Sequence, residues 1–417
     1  MTTESISFRQ LKLLETVGRV NSVRRASEEC NLSQPAVTQA ILKLESQLGV
    51  QLLIRSTSGS YLTELGRIFH HRAERFFDRL RDALQELPNS ETALNLDIAA
   101  NRISRSQINC LIAIFAAGNL EAAANELGLV PTSVQRALRT LEANVKNTLL
   151  NRTAAGLSLT PTGMNFGKRM KLALQEIEAA QNDIEISRGN TRSRITVGAM
   201  PFGGSFLLAT VLDTFVQEFP NAEIKIVSEN APELMQSLSD GDVDFVVGLV
   251  QQDGRENLEY IPLADTCFHI VGRTNHPLSF KDNITTEDLL EYEWVVGTRG
   301  ASRRECFEKL FEGTSGPHAP IRTSAFTIIR SLLESGDRLT LMTDYELMHQ
   351  RDYLQALHYP AITPVPAIGI TTRKDWLPTR LQKHLVDEIS AHTKNSAYVI
   401  STLSTEPISN GRHQRKA

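Results

Sequence analysis

Ser33, Gln34, Pro35, Thr38, Gln39 and Lys43 fall within one short stretch whose polar members can share a helical face. Amides and hydroxyls both donate and accept hydrogen bonds, so such a face can read base edges or grip phosphates, and an ammonium can meet a phosphate. Arg55 follows at the entry of a short hairpin pattern. Downstream stands a second set, Thr132, Ser133, Arg136, Arg139 and Arg152, richer in guanidinium and suited mainly to phosphate. Two loops of another kind lie later: Met200, Phe202, Gly203 and Ser205 before one helix, then Thr298, Arg299 and Ser302 before another. Free N–H groups at helix starts, with hydroxyls and a guanidinium beside them, suit a carboxylate or a hydroxyl-rich ligand. Thr343, after the strand 339–342, is a weaker third candidate.

Bond-making chemistry finds no support. The chain carries no GxSxG elbow, P-loop, GxGxxG or HExxH, and no spacing assembles its Asp and His residues into a triad. An enzyme is therefore not expected, and no cofactor or metal is implied. His70 and His71 are adjacent rather than one turn apart, which is poor spacing for a metal. Cys30, Cys110, Cys267 and Cys306 are scattered without a CxxC pair and read as reduced thiols.

The elements that must position the first two sets are repeated. At a constant offset of 97, Ile6 falls on Ile103, Gln10 on Gln107 and Ala26 on Ala123. Leu44-Glu45 falls on Leu141-Glu142, Arg55 on Arg152, Leu62-Thr63 on Leu159-Thr160 and Gly66 on Gly163. In each copy, apolar residues at three- and four-residue steps predict three helices, followed by a hairpin around a glycine. Ser33 can cap the third helix, Pro35 suits its first turn, and Gly49 can end it. Helix, turn, helix, wing is the arrangement that sends a helix into the major groove. On spacing alone, a protein-interaction module with a polar face stays open.

The stretches Phe8-Arg9-Gln10-Leu11, Ser33-Gln34-Pro35-Ala36-Val37, Leu48-Gly49-Val50-Gln51-Leu52-Leu53 and Leu62-Thr63-Glu64-Leu65-Gly66 closely resemble the winged helix of LysR-type transcriptional regulators. The resemblance implies that Gln34, Pro35, Thr38 and Gln39 meet the major groove, with Arg55 near the wing. It also implies that the helix from Gly66 to Leu87 pairs with its partner's copy as an antiparallel coiled coil and makes a homodimer or higher oligomer. The second copy departs from the pattern. Val130-Pro131-Thr132-Ser133-Val134 replaces Ser-Gln-Pro-Ala-Val, and Arg136 and Arg139 appear on its outer face. A second DNA head is favoured over a structural brace, because arginines are an odd choice for a buried interface.

From Arg194 onward, strands and helices alternate, which predicts parallel sheets with helices on both faces. Phe219-Pro220, the Leu-x-x-Gly-x-x-Asp step from Leu238 to Asp244, and His276-Pro277-Leu278 resemble the effector domain of the same family. That domain is similar to periplasmic solute-binding proteins. The expected plan is a multidomain α+β and α/β chain. It comprises a winged helix-turn-helix over 1–65, a linker helix over 66–88, a connector over 89–102, a second winged helix-turn-helix over 103–162 and a second linker helix over 163–190. A two-lobed α/β effector domain over 191–398 and a disordered tail over 399–417 complete it.

The 417 residues are too many for one core, and a net charge of -4 argues against a chain that coats nucleic acid over its whole surface. A local basic face remains compatible with that sum. No apolar run reaches the ~20 residues of a membrane helix, and no signal peptide is recognised. The expected protein is a cytoplasmic regulator of transcription. Its partners are double-stranded DNA, a small effector such as an organic acid or sugar, further copies of itself and RNA polymerase, with no membrane. The alternative is a small-molecule sensor whose tandem helical units bind proteins.

Overall fold

A computed structural model describes residues 6–57, 59–88, 101–153, 156–190, 192–200, 204–249, 254–348, 350–363 and 365–405, the side chains at 153, 204–207 and 397–405 excepted. Two compact units meet between Arg192 and Ser193.

The first unit holds both repeats. One contains α1 (Phe8–Val20), α2 (Val23–Glu29), α3 (Gln34–Leu48), the hairpin β1 (Leu53–Ser56) and β2 (Gly59–Leu62), and α4 (Glu64–Gln85). The other contains α5 (Arg105–Ala117), α6 (Leu120–Leu127), α7 (Pro131–Val145), β3 (Leu150–Thr153), β4 (Gly156–Leu159) and α8 (Pro161–Ser187). The local devices are copied along with the elements. Ser7 with Gln10, and Ser104 with Gln107, form reciprocal capping boxes. Leu53 pairs with Leu62 in one wing and Leu150 with Leu159 in the other. Thr63 and Thr160 cap the linker helices by accepting the N–H groups of Gly66 and Gly163. A Cβ at either glycine would lie 2.1 or 2.2 Å from the carbonyl oxygen of Leu52 or Leu149, so the approach of wing to linker requires glycine in both copies.

One hydrophobic core runs through both copies, including Leu14, Ile41, Phe69 and Phe76 from the first and Ile114, Leu138, Phe166 and Ile177 from the second. The expectation that α4 pairs with a partner chain is corrected at this point. The helix packed along α4 is α8 of the same chain. Arg72 lies against Asp183, Arg79 against Glu176 and Glu86 against Arg169, so numbering rises on one helix as it falls on the other, in steps of seven. The pair is antiparallel, and each step covers about 10 Å of helix. Three arginines of α4, Arg72, Arg75 and Arg79, converge on Glu176.

The described residues of the second unit form two larger sheets, joined by crossovers, and one short parallel pair of strands. The first lobe is built on β5 (Arg194–Ala199), α9 (Gly204–Glu218), β6 (Glu223–Val227), α10 (Ala231–Ser239), β7 (Phe245–Leu249) and β8 (Leu258–Ala264). The chain then enters the second lobe with β9 (Phe268–Arg273). This lobe continues through α11 (Thr286–Leu290), β10 (Val295–Val296), α12 (Ser302–Leu310), β11 (Ile321–Arg322), α13 (Phe326–Glu334), β12 (Thr340–Thr343), α14 (Asp344–Met348) and β13 (Leu354–Ala356). It returns as β14 (Ile368–Arg373), and α15 (Arg380–Thr405) packs back on α9 and β8.

Strand β10 pairs with β11; of the larger sheets, the first has the order β6-β5-β7-β14-β8 and the second the order β12-β9-β13. Neither is the purely parallel sheet expected. β14 runs antiparallel to β7 and β8 because it re-enters from the other lobe, and β9 is antiparallel to both of its neighbours. Helix α15 runs past 398, where a disordered tail was expected to begin; residues 406–417 lie outside the described residues, as does most of the 89–102 connector.

Candidate DNA-reading heads and effector cleft

In the first head, Val37, Ile41, Leu44 and Leu48 anchor one side of α3 in the core. That leaves Gln34, Pro35, Gln39 and Lys43 exposed, with Thr38 half-buried at the edge. Ser33 caps the helix by accepting the N–H of Ala36. Arg55 is exposed on β1. An open groove of about 600 Å³ runs along this face between α1 and α3, lined by Arg9, Gln39, Lys43 and Gln47. Arg9, an exposed cation at the start of α1, was not singled out from sequence. Nor was Glu45, whose Oε1 accepts the N–H groups of Leu52 and Leu53 at 2.7 and 3.0 Å. This carboxylate fixes the wing to the reading helix. Its repetition as Glu142 was the available signal.

The second head keeps that frame. Glu142 Oε1 accepts the N–H groups of Leu149 and Leu150 at 2.8 and 2.9 Å. Thr132, Arg136, Arg139 and Arg152 are exposed, and Ser133 is half-buried. Arg139 also donates to Glu142 Oε2 at 2.7 Å, so its guanidinium braces the wing-holding carboxylate. Two local losses follow from the rewritten sequence. Val130 stands at the N-cap without a cap bond, 61% exposed. Lys146 occupies the left-handed conformation (φ 52°) that Gly49 fills in the first head. A link crosses between the copies: Arg188, just past α8, donates to the Leu48 carbonyl at the end of α3, where a cation suits the helix dipole.

In the second unit, Thr298 stands at the mouth between the lobes. Its hydroxyl bonds Asn230 of the first lobe at 3.1 Å and Ser324 of the second at 2.9 Å. Arg299 is exposed and Ser302 half-buried beside it. Met200 is buried, with its side chain against Gly248. Phe202 and Gly203 lie outside the described residues, and Ser205 is placed only as a residue of α9. Thr343 belongs to β12 rather than following it. It is fully buried, and its hydroxyl and N–H both bond Glu346, whose carboxylate also pairs with the buried Arg303. That threonine is occupied in holding α14.

Sequence spacing assembled no Cys/His/Asp group, but the fold does. Cys267, just before β9, and His269 within it meet Asp344: Cys267 Sγ lies 3.1 Å from Asp344 Oδ2, and His269 Nε2 lies 2.5 Å from Oδ1. Burial, with the Asp344 carboxylate beside it, pushes the Cys267 thiol up to about 12. A thiol so held stays protonated near neutrality and is a poor nucleophile.

Two repeated winged helices joined to a two-lobed α/β trap define a ligand-controlled DNA-binding regulator rather than an enzyme. The comparisons with known proteins place the chain. The bacterial regulatory helix-turn-helix of the lysR family matches twice, at residues 8–67 and 105–164, and the LysR substrate binding domain matches residues 188–394. The chain belongs to the LysR family of transcriptional regulators. The HTH-type transcriptional regulator GalR of Pseudomonas putida is 26% identical over 375 residues, covering 88% of this chain and 92% of that protein. The unaligned 12% is about 50 residues, fewer than either matched helix-turn-helix span of 60, so the alignment reaches into both copies. GbpR of Rhizobium radiobacter is 26% identical over 235 residues, 55% of this chain and 77% of that protein. Among solved structures, ArgP from Mycobacterium tuberculosis shares the fold at TM-score 0.55 and 16% identity, over 69% of this chain and 96% of that one. A full-length OxyR variant from Pseudomonas aeruginosa does so at TM-score 0.52 and 16% identity, over 69% and 94%.

Proposed function

We propose that one chain carries both heads to the same DNA, and that a small organic acid or sugar held between the lobes controls the outcome. The carrying observation is the antiparallel pairing of α4 with α8, which mounts two winged helices on one shared core. In this reading Gln34, Pro35, Thr38 and Gln39 meet base edges, while Ser33, Lys43 and Arg55 hold the backbone. Thr132, Ser133, Arg136, Arg139 and Arg152 of the second head act mainly on phosphate. Thr298, Arg299 and Ser302 face the effector between the lobes. The protein works in the cytoplasm. Two chains associating as a homodimer supply four heads, and RNA polymerase is the further partner.

A gel shift on promoter DNA tests the first head. Gln34→Ala should relax sequence preference by about 1–3 kcal/mol per lost base contact. Unchanged affinity and unchanged preference would remove that head from the reading.

A further inference from the structure

The axis of the α4–α8 pair lies where the two copies are equivalent to each other. Arg79 and Glu176 stand 97 positions apart, the offset of the repeat, and they face one another at 3.0 Å. The flanking bridges are mates across that axis. Arg72 and Arg169 are equivalent positions, as are Glu86 and Asp183, and the bridges are Arg72–Asp183 and Arg169–Glu86. The unit is therefore a pseudo-two-fold dimer made within one chain.

A true two-fold sets identical residues face to face at its axis. Two copies of α4 would place Arg79 against Arg79, with Arg72 and Arg75 from both sides and no Glu176. Two copies of α8 would place Glu176 against Glu176. The flanking bridges would survive either arrangement, so the axial position is the one that discriminates. It is largely enclosed: the side chains of Arg79 and Glu176 are 19% and 6% exposed. Uncompensated like charge there is costly. The two heads it joins also differ in the residues that face outward, Gln34, Pro35 and Gln39 in one against Pro131, Thr132 and Arg136 in the other.

We infer that each chain is a covalently joined heterodimer of unlike reading heads, selected by the Arg79–Glu176 axis, and that it recognises a two-part DNA site whose adjacent halves differ in sequence. The DNA half of this inference rests on the function proposed above. Thr63 and Thr160 each precede the axial residue by 16 positions, about 24 Å of helix, so the linkers begin about 48 Å apart. The heads fold inward from there, for Phe8 at the start of α1 rests on Phe76 near the axis, ring centres 4.7 Å apart. That span suits two elements on successive turns of one duplex face. If two chains associate, the longer site is mirrored between chains, but each chain's own two elements remain unlike.

Two experiments on the full chain decide the matter. The first reads pairing. Oxidising the Glu86→Cys, Arg169→Cys double variant should give a bond between positions 86 and 169, identified by peptide mass spectrometry, in a species of single-chain mass. Oxidising Arg79→Cys alone should give no bond between two copies of position 79. A covalent dimer through either bond would overturn the intrachain heterodimer. The second reads DNA. Selection from a randomised duplex pool should return two adjacent, unlike elements. Replacing the outer face of α7 with that of α3 (Val130→Ser, Pro131→Gln, Thr132→Pro, Ser133→Ala, Gln135→Thr, Arg136→Gln) should convert the second element into an inverted copy of the first. Selection by the unaltered chain of adjacent elements that are inverted copies of one another, with no unlike element beside either, would overturn the asymmetric site. Failure to enrich any sequence would overturn both that site and the proposed function, while the oxidation result still decides the pairing.

Discussion

Glu176→Gln should destabilise the first unit strongly while leaving the second untouched. The carboxylate accepts from Arg72 at 2.8 Å and from Arg75 and Arg79 at 3.0 Å each, in a site almost closed to water. The amide keeps the shape and one acceptor but removes the charge. Arg72 then keeps Asp183 as an ion partner at 3.7 Å. Removing one member of a buried ion pair costs roughly 3–5 kcal/mol. The lower end, about 3 kcal/mol, applies here because the amide oxygen still accepts and Arg75 and Arg79 are partly wet. At roughly 2–4 °C per kcal/mol for a unit of this size, the melting temperature of the first unit should fall by about 6–12 °C at pH 7.

The same substitution carries a pH signature. Burial alone would raise the Glu176 carboxyl, but hydrogen bonds from Arg75 and Arg72 outweigh it and hold the group below its usual range. A depressed folded value means that the stabilisation is present above the unfolded pKa of about 4.3 and lost as pH falls through the folded value. The gap between native and variant should therefore narrow below about pH 4. Calorimetric melts from pH 7 to pH 3 read both effects. A drop under about 2 °C at pH 7, or a gap that stays constant into acid, would refute the reasoning.

Other consequences follow from single residues. Val130→Ser should restore a cap to α7 and Lys146→Gly should relieve its left-handed C-cap, each stabilising the second head by about 1 kcal/mol in thermal melts. Thr298→Val with Ser302→Ala should weaken the effector's effect on DNA binding while basal DNA affinity is kept; a normal response would move the ligand elsewhere. Cys267, pushed to about 12, should react with iodoacetamide at pH 8 about 1,000-fold more slowly than a free cysteine, and Asp344→Asn should speed it up. Equal rates in the two forms would disprove the Asp344 contribution.

Much of this fold is readable along the chain because its signals are local. Ser7, Ser22, Asn119, Thr63 and Thr160 all cap helices, and Gly49, Gly118 and Gly128 end helices in the left-handed conformation. What was hidden is the choice of partner. The apolar steps of α4 declare a buried face but not what covers it, and its arginines look solvated until Glu176, about 100 positions away, is placed against them. Cys267, His269 and Asp344 escaped for the same reason, since a strand start and a helix start meet only through β9–β12 pairing. The direction of β14 depends on which end of the sheet the chain re-enters, and no strand-length pattern encodes that. Thr343 looked available because its N-cap duty to Glu346 is a tertiary detail at a strand end.

The most direct test of two unlike heads on one DNA is a hydroxyl-radical footprint with a salt series, comparing the native chain with the Arg136→Ala, Arg152→Ala double variant. The expected result is loss of protection over the half bound by the second head, with the first half and its sequence preference retained. The slope of log affinity against log salt should flatten by about two units for each chain bound, close to one for each phosphate contact removed. An unchanged footprint with an unchanged slope would contradict the account and leave the second winged helix without a role on DNA.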